Sequence, residues 1–354
     1  MKAFGFLSFG HYALPGQQGP DARTVLRQAL DLARFADGLG VNGAYFRVHH
    51  FAAQGASPMP LLGAIAGSTK NIEVGTGVID LRYENPLYLA EEAAALDLLA
   101  GGRVALGVSR GSPEPAEQGW KAFGYQAEAS NGADMARAKF ELLLAAVEGR
   151  GVARAASLDE QYPRIYQPGI ALPVFPQSPG LRKRVWWGSG TKKTAEQAAR
   201  DGVNLMSSTL VSEADGTSLG ELQAEQIARY RAVWKQAGHD WTPRVSVSRS
   251  IFPLVTDRDR QLFGLQATSS DQVGNLDGGN ATFGRSYAAE PDVLIDQLKA
   301  DPAIAAADTL MLTIPNTLGV EANLSILRNF AEYVAPELGW IPATSGPVEG
   351  YPID

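Results

Sequence analysis

Histidine is scarce in this chain, four residues in 354, yet two stand side by side in the run YFRVHHF that begins at position 45. Imidazole changes charge near neutral pH, so a well-placed histidine can move a proton in either direction. Neighbouring side chains on a strand point to opposite faces, so His49 and His50 do not line one pocket together, and a paired metal site is disfavoured. Phe46, Val48 and His50 share one face, while Tyr45, Arg47 and His49 share the other. The apolar pair Phe46 and Val48 suits packing under helices. That leaves His49 as the candidate for chemistry, with a histidine merely satisfied at a strand end as the plainer alternative.

A second group points to anion binding. The stretch WWGSGTKKTAEQAARDG sets two glycines and several hydroxyls before a helix, and a helix start offers unpaired N–H groups and a positive dipole end. Gly190, Thr191 and Thr194 are candidate phosphate ligands there, with Lys192 or Lys193 assisting; a simple threonine N-cap is the alternative. Arg110, in VSRGSPEP, places a guanidinium at another strand end, as a phosphate partner or as a solvated charge. Gly75 and Gly77, in VGTGVIDL, mark close backbone approach to a ligand or a bulge. Trp186 and Trp187 would shelter a ring or serve as packing. The phosphate-loop spacing GxxxxGK[ST], the HExxH metal motif, the GxSxG elbow and the GxGxxG dinucleotide turn are all missing.

Composition narrows the chemistry further. There is no cysteine, which removes disulfides, thiolate metal sites and thiol nucleophiles. The net charge is −7, and none of the 31 basic residues forms a long run, which disfavours nucleic acid or an acidic membrane as partner. No stretch reaches the roughly 18 apolar residues of a membrane span, so a cytoplasmic protein acting on a small molecule is expected. With 45% apolar and 19% charged residues the chain can bury a large core.

The elements that must position these residues alternate strand and helix. The strand AFGFLSF precedes a helix from Asp21 with Val25, Ala29, Leu32, Ala36 and Leu39 at spacings of four and three, ending at Gly40. AYFRVHH, a helix over 58–68 and the strand NIEVGTGVIDL follow. YENPLYLAEEAAALDLLAGGR then carries Asn85 as N-cap, Pro86 at the first helical position and Gly101 at a left-handed end. RVALGVSRG leads to a helix over 131–148, and a proline-rich excursion with short extended pieces interrupts the beat. RVWWGS, VNLMSS and RVSVSRSIFPLV supply strands five to seven, with helices over 192–200 and 219–237, and DTLMLTI the eighth, with a helix over 321–334. The spacing predicts one domain over 1–354, a (β/α)₈ TIM barrel with insertions after strands four and seven; an open doubly wound sheet is the alternative.

VHHF, EVGTGVIDLRYENPLYLAEEAAALDLLAGGRVALGVSRG and WWGSGTKKTAEQAARDGVNLMSS together resemble, in order and spacing, the bacterial luciferase-like flavin-dependent monooxygenases, over about Phe4 to Phe330. The Asn85–Gly111 stretch is the most specific part. The resemblance implies a barrel with FMN, or in one branch a deazaflavin, at its C-terminal mouth. It implies His49 as the catalytic histidine, Arg110, Thr191 and Thr194 at the flavin phosphate, and Gly77 and Val78 at a cis peptide bulge under the ring; Ser112 and Gly190 are taken as further cofactor-binding residues. Many relatives have glutamate where this chain has Val48, and luciferases have an acidic residue where it has Gly190.

The expected activity is a two-component monooxygenase in which reduced FMN, supplied by a separate reductase, and O₂ oxygenate a small, largely apolar substrate; relatives are commonly homodimers. A deazaflavin-dependent hydride-transfer enzyme, with Lys183, Arg184, Lys192 and Lys193 receiving the cofactor's acidic tail, and a non-catalytic flavin-binding protein are the alternatives. The stretch 257–289 is far longer than a usual βα connection. It is expected to form a lid hinged at Gly274, Gly278, Gly279 and Gly284 and to close with Phe263, Leu265, Leu276 and Phe283.

Overall fold

Eight strands close on one another in the computed structural model, which describes residues 1–276, 279–344 and 346–353. They are Ala3–Ser8, Gly43–Phe46, Glu73–Thr76, Val104–Ser109, Val185–Ser189, Asn204–Ser207, Val245–Pro253 and Thr309–Ile314. All are parallel and pair in chain order; the eighth returns to the first in the register Ala3↔Thr309 to Ser8↔Ile314. This is the expected barrel. Its strands are buried on both faces, which is why they read as near-continuous apolar runs rather than as alternating ones.

The alternation that does exist sorts side chains between two layers. Outward-facing Phe4, Phe46, Val74, Leu106 and Val247 pack against the helices in the main core. Inward-facing Leu7, Tyr45, Ala105, Trp186, Met206 and Met311 fill the barrel below its mouth. The helix ends follow the sequence signals: Asp21 accepts from the backbone N–H of Thr24, Asn85 accepts from Leu87 and Tyr88, and Gly40 closes the first helix in a left-handed conformation. The helices Lys192–Arg200 and Leu219–Ala237 coincide with the expected spans.

Strand two is shorter than its sequence run. Pairing stops at Phe46, so Arg47, Val48 and His49 leave the sheet at the mouth. Strand three is interrupted at Gly77–Val78, whose peptide bond is cis, and Ile79–Asp80 resumes pairing against Val108 and Ser109.

The two insertions lie at opposite ends of the barrel. The excursion, with a two-residue ladder between Ala153–Arg154 and Ala171–Leu172, follows the helix Ala133–Val147. It is fastened by Gln177 to the carbonyl of Ala146 and by Ser178 to Asp97, both near helix C-termini. Helices of a (β/α)₈ barrel run opposite to its strands, so these contacts lie on the face away from the mouth. The stretch after strand seven instead folds into the helix Asp257–Phe263, the hairpin Gln272–Leu276 and Gly279–Phe283, and the strand Ser286–Ala289. The hairpin pairs with Leu210–Val211 at the mouth, and Ser286–Ala289 extends strand seven in parallel.

Candidate active site

A cavity of about 510 Å³ opens at the C-terminal ends of the strands, within the size range of small-molecule and cofactor sites. His49, Gly77, Val78, Arg110, Ser112, Gly190, Thr191 and Thr194, which the sequence singled out, all line it. Gly75 does not: it sits inside the sheet, where a Cβ would come within 2.6 Å of the Ala105 carbonyl oxygen. Trp186 is fully buried in the barrel interior with the Arg244 guanidinium 4.5 Å from its ring, whereas Trp187 reaches the cavity and packs on Phe140.

One wall carries charge. The side chains of His49 and Glu114 are 10% and 3% exposed, and His49 Nδ1 lies 2.8 Å from Glu114 Oε2. The other imidazole nitrogen, Nε2, lies 3.5 Å from Ser112 Oγ. Arg47 donates to the same Ser112 hydroxyl at 3.3 Å and rests over the Phe9 ring. Burial lowers the Arg47 pKa, while Glu114 pulls it back up. Gly111 makes this wall possible: it has φ +90°, and a Cβ there would fall 1.9 Å from Asp80 Oδ2, so only glycine turns the chain back over His49. Behind it, Arg82 holds Asp80 and donates to the Ser112 carbonyl at 2.6 Å, and Lys139 donates to the Arg82 carbonyl at 3.0 Å.

His50 faces away from the cavity, although the strand has ended by then and the consecutive Arg47, Val48 and His49 all line the mouth. It stacks on Tyr83 with centroids 4.2 Å apart and meets the edge of Phe123. Burial lowers its pKa, which keeps the ring neutral at pH 7. Its Nε2 has no hydrogen-bond partner among the described residues.

The opposite wall is built of hydroxyls. Thr191 caps the helix Lys192–Arg200 by accepting from the Thr194 backbone N–H, and its Oγ1 lies 2.9 Å from Thr194 Oγ1, which in turn lies 2.6 Å from Ser189 Oγ. Gln226 supports the cluster by donating to the Thr191 carbonyl at 3.0 Å. Ser207, Ser208 and Ser212 continue the polar lining. The expected assistance from lysine is corrected here: Lys192 Nζ pairs with Glu225 at 2.5 Å, its backbone N–H donates to Glu213, and neither Lys192 nor Lys193 lines the cavity. Lys183 and Arg184 also fail to form a basic groove at the mouth. They precede strand five, at the far end of the barrel, where Arg184 pairs with the buried Asp97.

Between the walls the lining is apolar: Leu7, Phe9, Val78, Met206, Leu276 and Met311. A Cβ on Gly188 would come within 3.1 Å of both Val78 methyls, so glycine there keeps the side under Val78 low. The hairpin after strand seven supplies Leu276 and Gly279, but the lid expectation needs correction. Phe263 is stacked on Phe252 with centroids 4.5 Å apart and buried, and Leu265 faces solvent. Gly274 and Gly279 lie within paired strands rather than at hinges, Gly284 packs against Leu219, and Gly278 is outside the described residues.

Arg47, Asp80 and Glu114 were not singled out as site residues. Arg47 shares the parity of His49 and was legible on that ground. Glu114 lies in the loop after strand four, where strand periodicity carries no signal.

A barrel with hydroxyls, a histidine–carboxylate pair and an apolar floor at its C-terminal mouth defines a class of enzymes that hold a small organic group there. The sequence model of the luciferase-like monooxygenase family matches residues 1–269, and the chain belongs to that family. Among characterised relatives, 4-hydroxyprotoasukamycin monooxygenase of Streptomyces nodosus subsp. asukaensis is 38% identical over 109 residues, 30% of this chain and 29% of that protein. Limonene 1,2-monooxygenase of Rhodococcus erythropolis is 32% identical over 111 residues, again 30% of this chain and 29% of the relative. The matched stretch thus spans under a third of either relative. In fold, a monooxygenase from Streptomyces bottropensis superposes with TM-score 0.69 at 19% identity, covering 95% of this chain and 99% of its own. The oxygenating constituent of 3,6-diketocamphane monooxygenase from Pseudomonas putida, in complex with FMN, gives 0.66 at 16% identity over 95% and 98%. A deazaflavin-dependent secondary alcohol dehydrogenase gives 0.64 at 16% identity over 96% and 99%. No helix among the described residues is long and apolar enough to cross a membrane.

Proposed function

We propose that this protein is an FMN-dependent monooxygenase of the two-component type, taking reduced FMN from a separate reductase and oxygenating a small, largely apolar substrate with O₂. The observation that carries the reading is that one cavity holds, on separate walls, a hydroxyl cluster at a helix start and a buried His49–Glu114 pair, with apolar side chains between them.

The donor set fits a phosphate monoester joined to a flat ring. Gly190, Thr191 and Thr194, with the Arg110 guanidinium, would hold the phosphate, while Gly77 and Val78, which packs over Gly188, would receive the ring and Ser112 would meet the flavin on the His49 side. Phosphate held by hydroxyls and a guanidinium at a helix N-terminus is a strong, charge-assisted arrangement. The bound flavin supplies the reaction with O₂; the protein supplies binding, orientation and exclusion of water. His49 then holds or moves a proton at Nε2, the nitrogen turned toward Ser112, while Glu114 fixes the ring through Nδ1. Arg47, beside Ser112, places a positive charge next to that nitrogen.

FMN is favoured over a deazaflavin because the residues considered for an acidic cofactor tail do not converge on the mouth. Lys183 and Arg184 lie at the opposite end of the barrel, and Lys192 is engaged by Glu225. In cells, the reading implies a cytoplasmic homodimer working beside its reductase. The test is the visible spectrum and O₂ uptake of the purified protein with photoreduced FMN, set against a deazaflavin. Tight FMN binding with O₂ consumption supports the reading. A perturbed deazaflavin spectrum without any response to FMN overturns it in favour of hydride transfer, and binding of FMN with no turnover on any apolar probe, limonene included, overturns the catalytic claim.

A further inference from the structure

A second cavity, of about 580 Å³, lies outside the barrel behind strand seven and shares no lining residue with the mouth. Its walls come from the start of the helix Leu219–Ala237, the outer side of the hairpin, the strand Ser286–Ala289 and the end of the helix Pro291–Lys299. Strand seven and the hairpin each serve both cavities. Ser248 faces the mouth and Arg249 the outer cavity; Leu276 and Gly279 line the mouth while Val273 and Thr282 line the outer one.

The acidic groups here are already committed. Asp301 accepts from Arg249 Nε at 2.9 Å, from the Tyr287 hydroxyl at 2.8 Å and from the backbone N–H groups of Ala303 and Ile304. Asp271 accepts from the backbone N–H of Leu219 at 2.7 Å and of Arg285 at 2.8 Å. Arg249 is likewise engaged by Asp301 and Gln223. Thr282 differs: it is 2% exposed, lines the cavity, and its hydroxyl has no partner among the described residues. A buried hydroxyl left without a partner costs about 1–3 kcal/mol, so its retention at a cavity wall points to a group that enters from outside. The Arg285 guanidinium lies over the Tyr287 ring at 4.5 Å on the same cavity. Leu219, Val273, Ala300 and Pro302 complete an apolar side.

We infer that this outer cavity binds a small organic anion with an apolar body, a carboxylate or phosphate monoester, held by Arg285 and Thr282 with its body against Leu219, Val273 and Pro302. Arg249 offsets Asp301, Asp271 turns its oxygens to the backbone of Leu219 and Arg285, and the exposed Arg285 guanidinium, beside Tyr287, is the group that would meet the ligand's charge. The inference does not depend on which cofactor the mouth takes.

Phenyl phosphate and benzoate are the probes, titrated calorimetrically into protein carrying Thr191→Val and Thr194→Val, so that the mouth's hydroxyl cluster does not contribute. Each is expected to bind at one site, and Arg285→Gln to weaken the better of them about tenfold, the loss of one hydrogen bond to a charged group. Thr282→Val, close to isosteric, is expected to weaken it by a smaller factor and Thr282→Ser to restore it. Preference for phenyl phosphate or for benzoate identifies the ligand as a phosphate ester or a carboxylate. Absence of heat with both probes, or identical affinity in the parent, Arg285→Gln and Thr282→Val proteins, would overturn the inference.

Discussion

The two walls of the mouth are made from different materials. The His49 wall is ionic and stays ionic in depth: behind His49, Glu114 and Arg47 stand Asp80, Arg82 and Lys139. The strand-five wall is neutral where it meets the cavity, with hydroxyls of Ser189, Thr191 and Thr194 backed by the amide of Gln226. A group that moves protons benefits from charged neighbours that titrate or polarise it, whereas a cradle for a dianion benefits from donors that do not change state. The contrast predicts that chemistry and anchoring can be damaged separately, and that pH acts through one wall only.

The largest effect should come from His49→Ala. Turnover is expected to fall by about 10² to 10⁴-fold, the usual worth of general acid–base catalysis, with FMN affinity within about twofold of wild type. His50→Ala, by contrast, should lower the urea midpoint and spare turnover, because its ring only packs on Tyr83 and Phe123. Equal turnover in wild type and His49→Ala would collapse the comparison at its strongest point.

Next is the neutral wall. Thr191→Val with Thr194→Val should weaken FMN by about a hundredfold, at roughly 1.5 kcal/mol for each hydrogen bond to a charged group, while riboflavin, lacking the phosphate, binds as in wild type. Fluorescence titration of both flavins decides it. Similar losses for the two would move the anchoring role from the cradle to the ring pocket.

Glu114→Gln should have a smaller effect, about tenfold in turnover with no change in FMN affinity. The amide still reaches Nδ1 but no longer carries the charge that stabilises a protonated ring. If Glu114→Gln lowers FMN affinity and leaves turnover unchanged, Glu114 belongs to binding and the division of labour is wrong.

The smallest effect is on stability. Burial, with Glu92 adding to it, pushes the Glu84 carboxyl up to about 7, and burial pulls the Lys139 ammonium down to about 8. For Glu84 the folded state holds its proton more tightly than the unfolded chain. Its contribution is therefore fully present below the ordinary carboxyl value and is lost as pH rises toward about 7. Wild type should lose up to about 3 kcal/mol from this group across that window, and Glu84→Gln should show a flatter profile in urea melts at pH 5, 6 and 7. Parallel profiles would mean that the ionic backing does not set the pH response.

Most of this was legible where local rules act. The choice of His49 over His50 agrees with the cavity, but the parity behind it does not hold, since the strand ends at Phe46 and Val48 lines the mouth too. Cap chemistry placed Asn85 and the ends of the helices it flagged to within about two residues, while the helices Pro291–Lys299 and Pro302–Ala306 went unread. What escaped were contacts made by loops returning across the mouth. Nothing periodic connects Glu114 to His49, and the turn that joins them depends on Gly111 fitting against Asp80. The misplacement of Lys183 and Arg184 has a different cause: composition showed a basic cluster, but a residue before a parallel strand stands at the barrel's other end from one after it. The stretch 257–289 was read as one long loop because its strands are short and their partner, Leu210–Val211, is distant in sequence.

The proline-rich excursion between the helix Ala133–Val147 and strand five has a consequence for the history of this chain. Tyr162, Ile165 and Phe175 are exposed there, on the face turned away from the mouth. Substitutions in that segment touch neither ligand cavity, so among descendants of a common ancestor they should accumulate with elapsed time. The paired strands Gln272–Leu276 and Gly279–Phe283, which touch both cavities, should instead diverge when a lineage changes what it consumes. Two stretches of one gene would then keep two different records, one of age and one of diet.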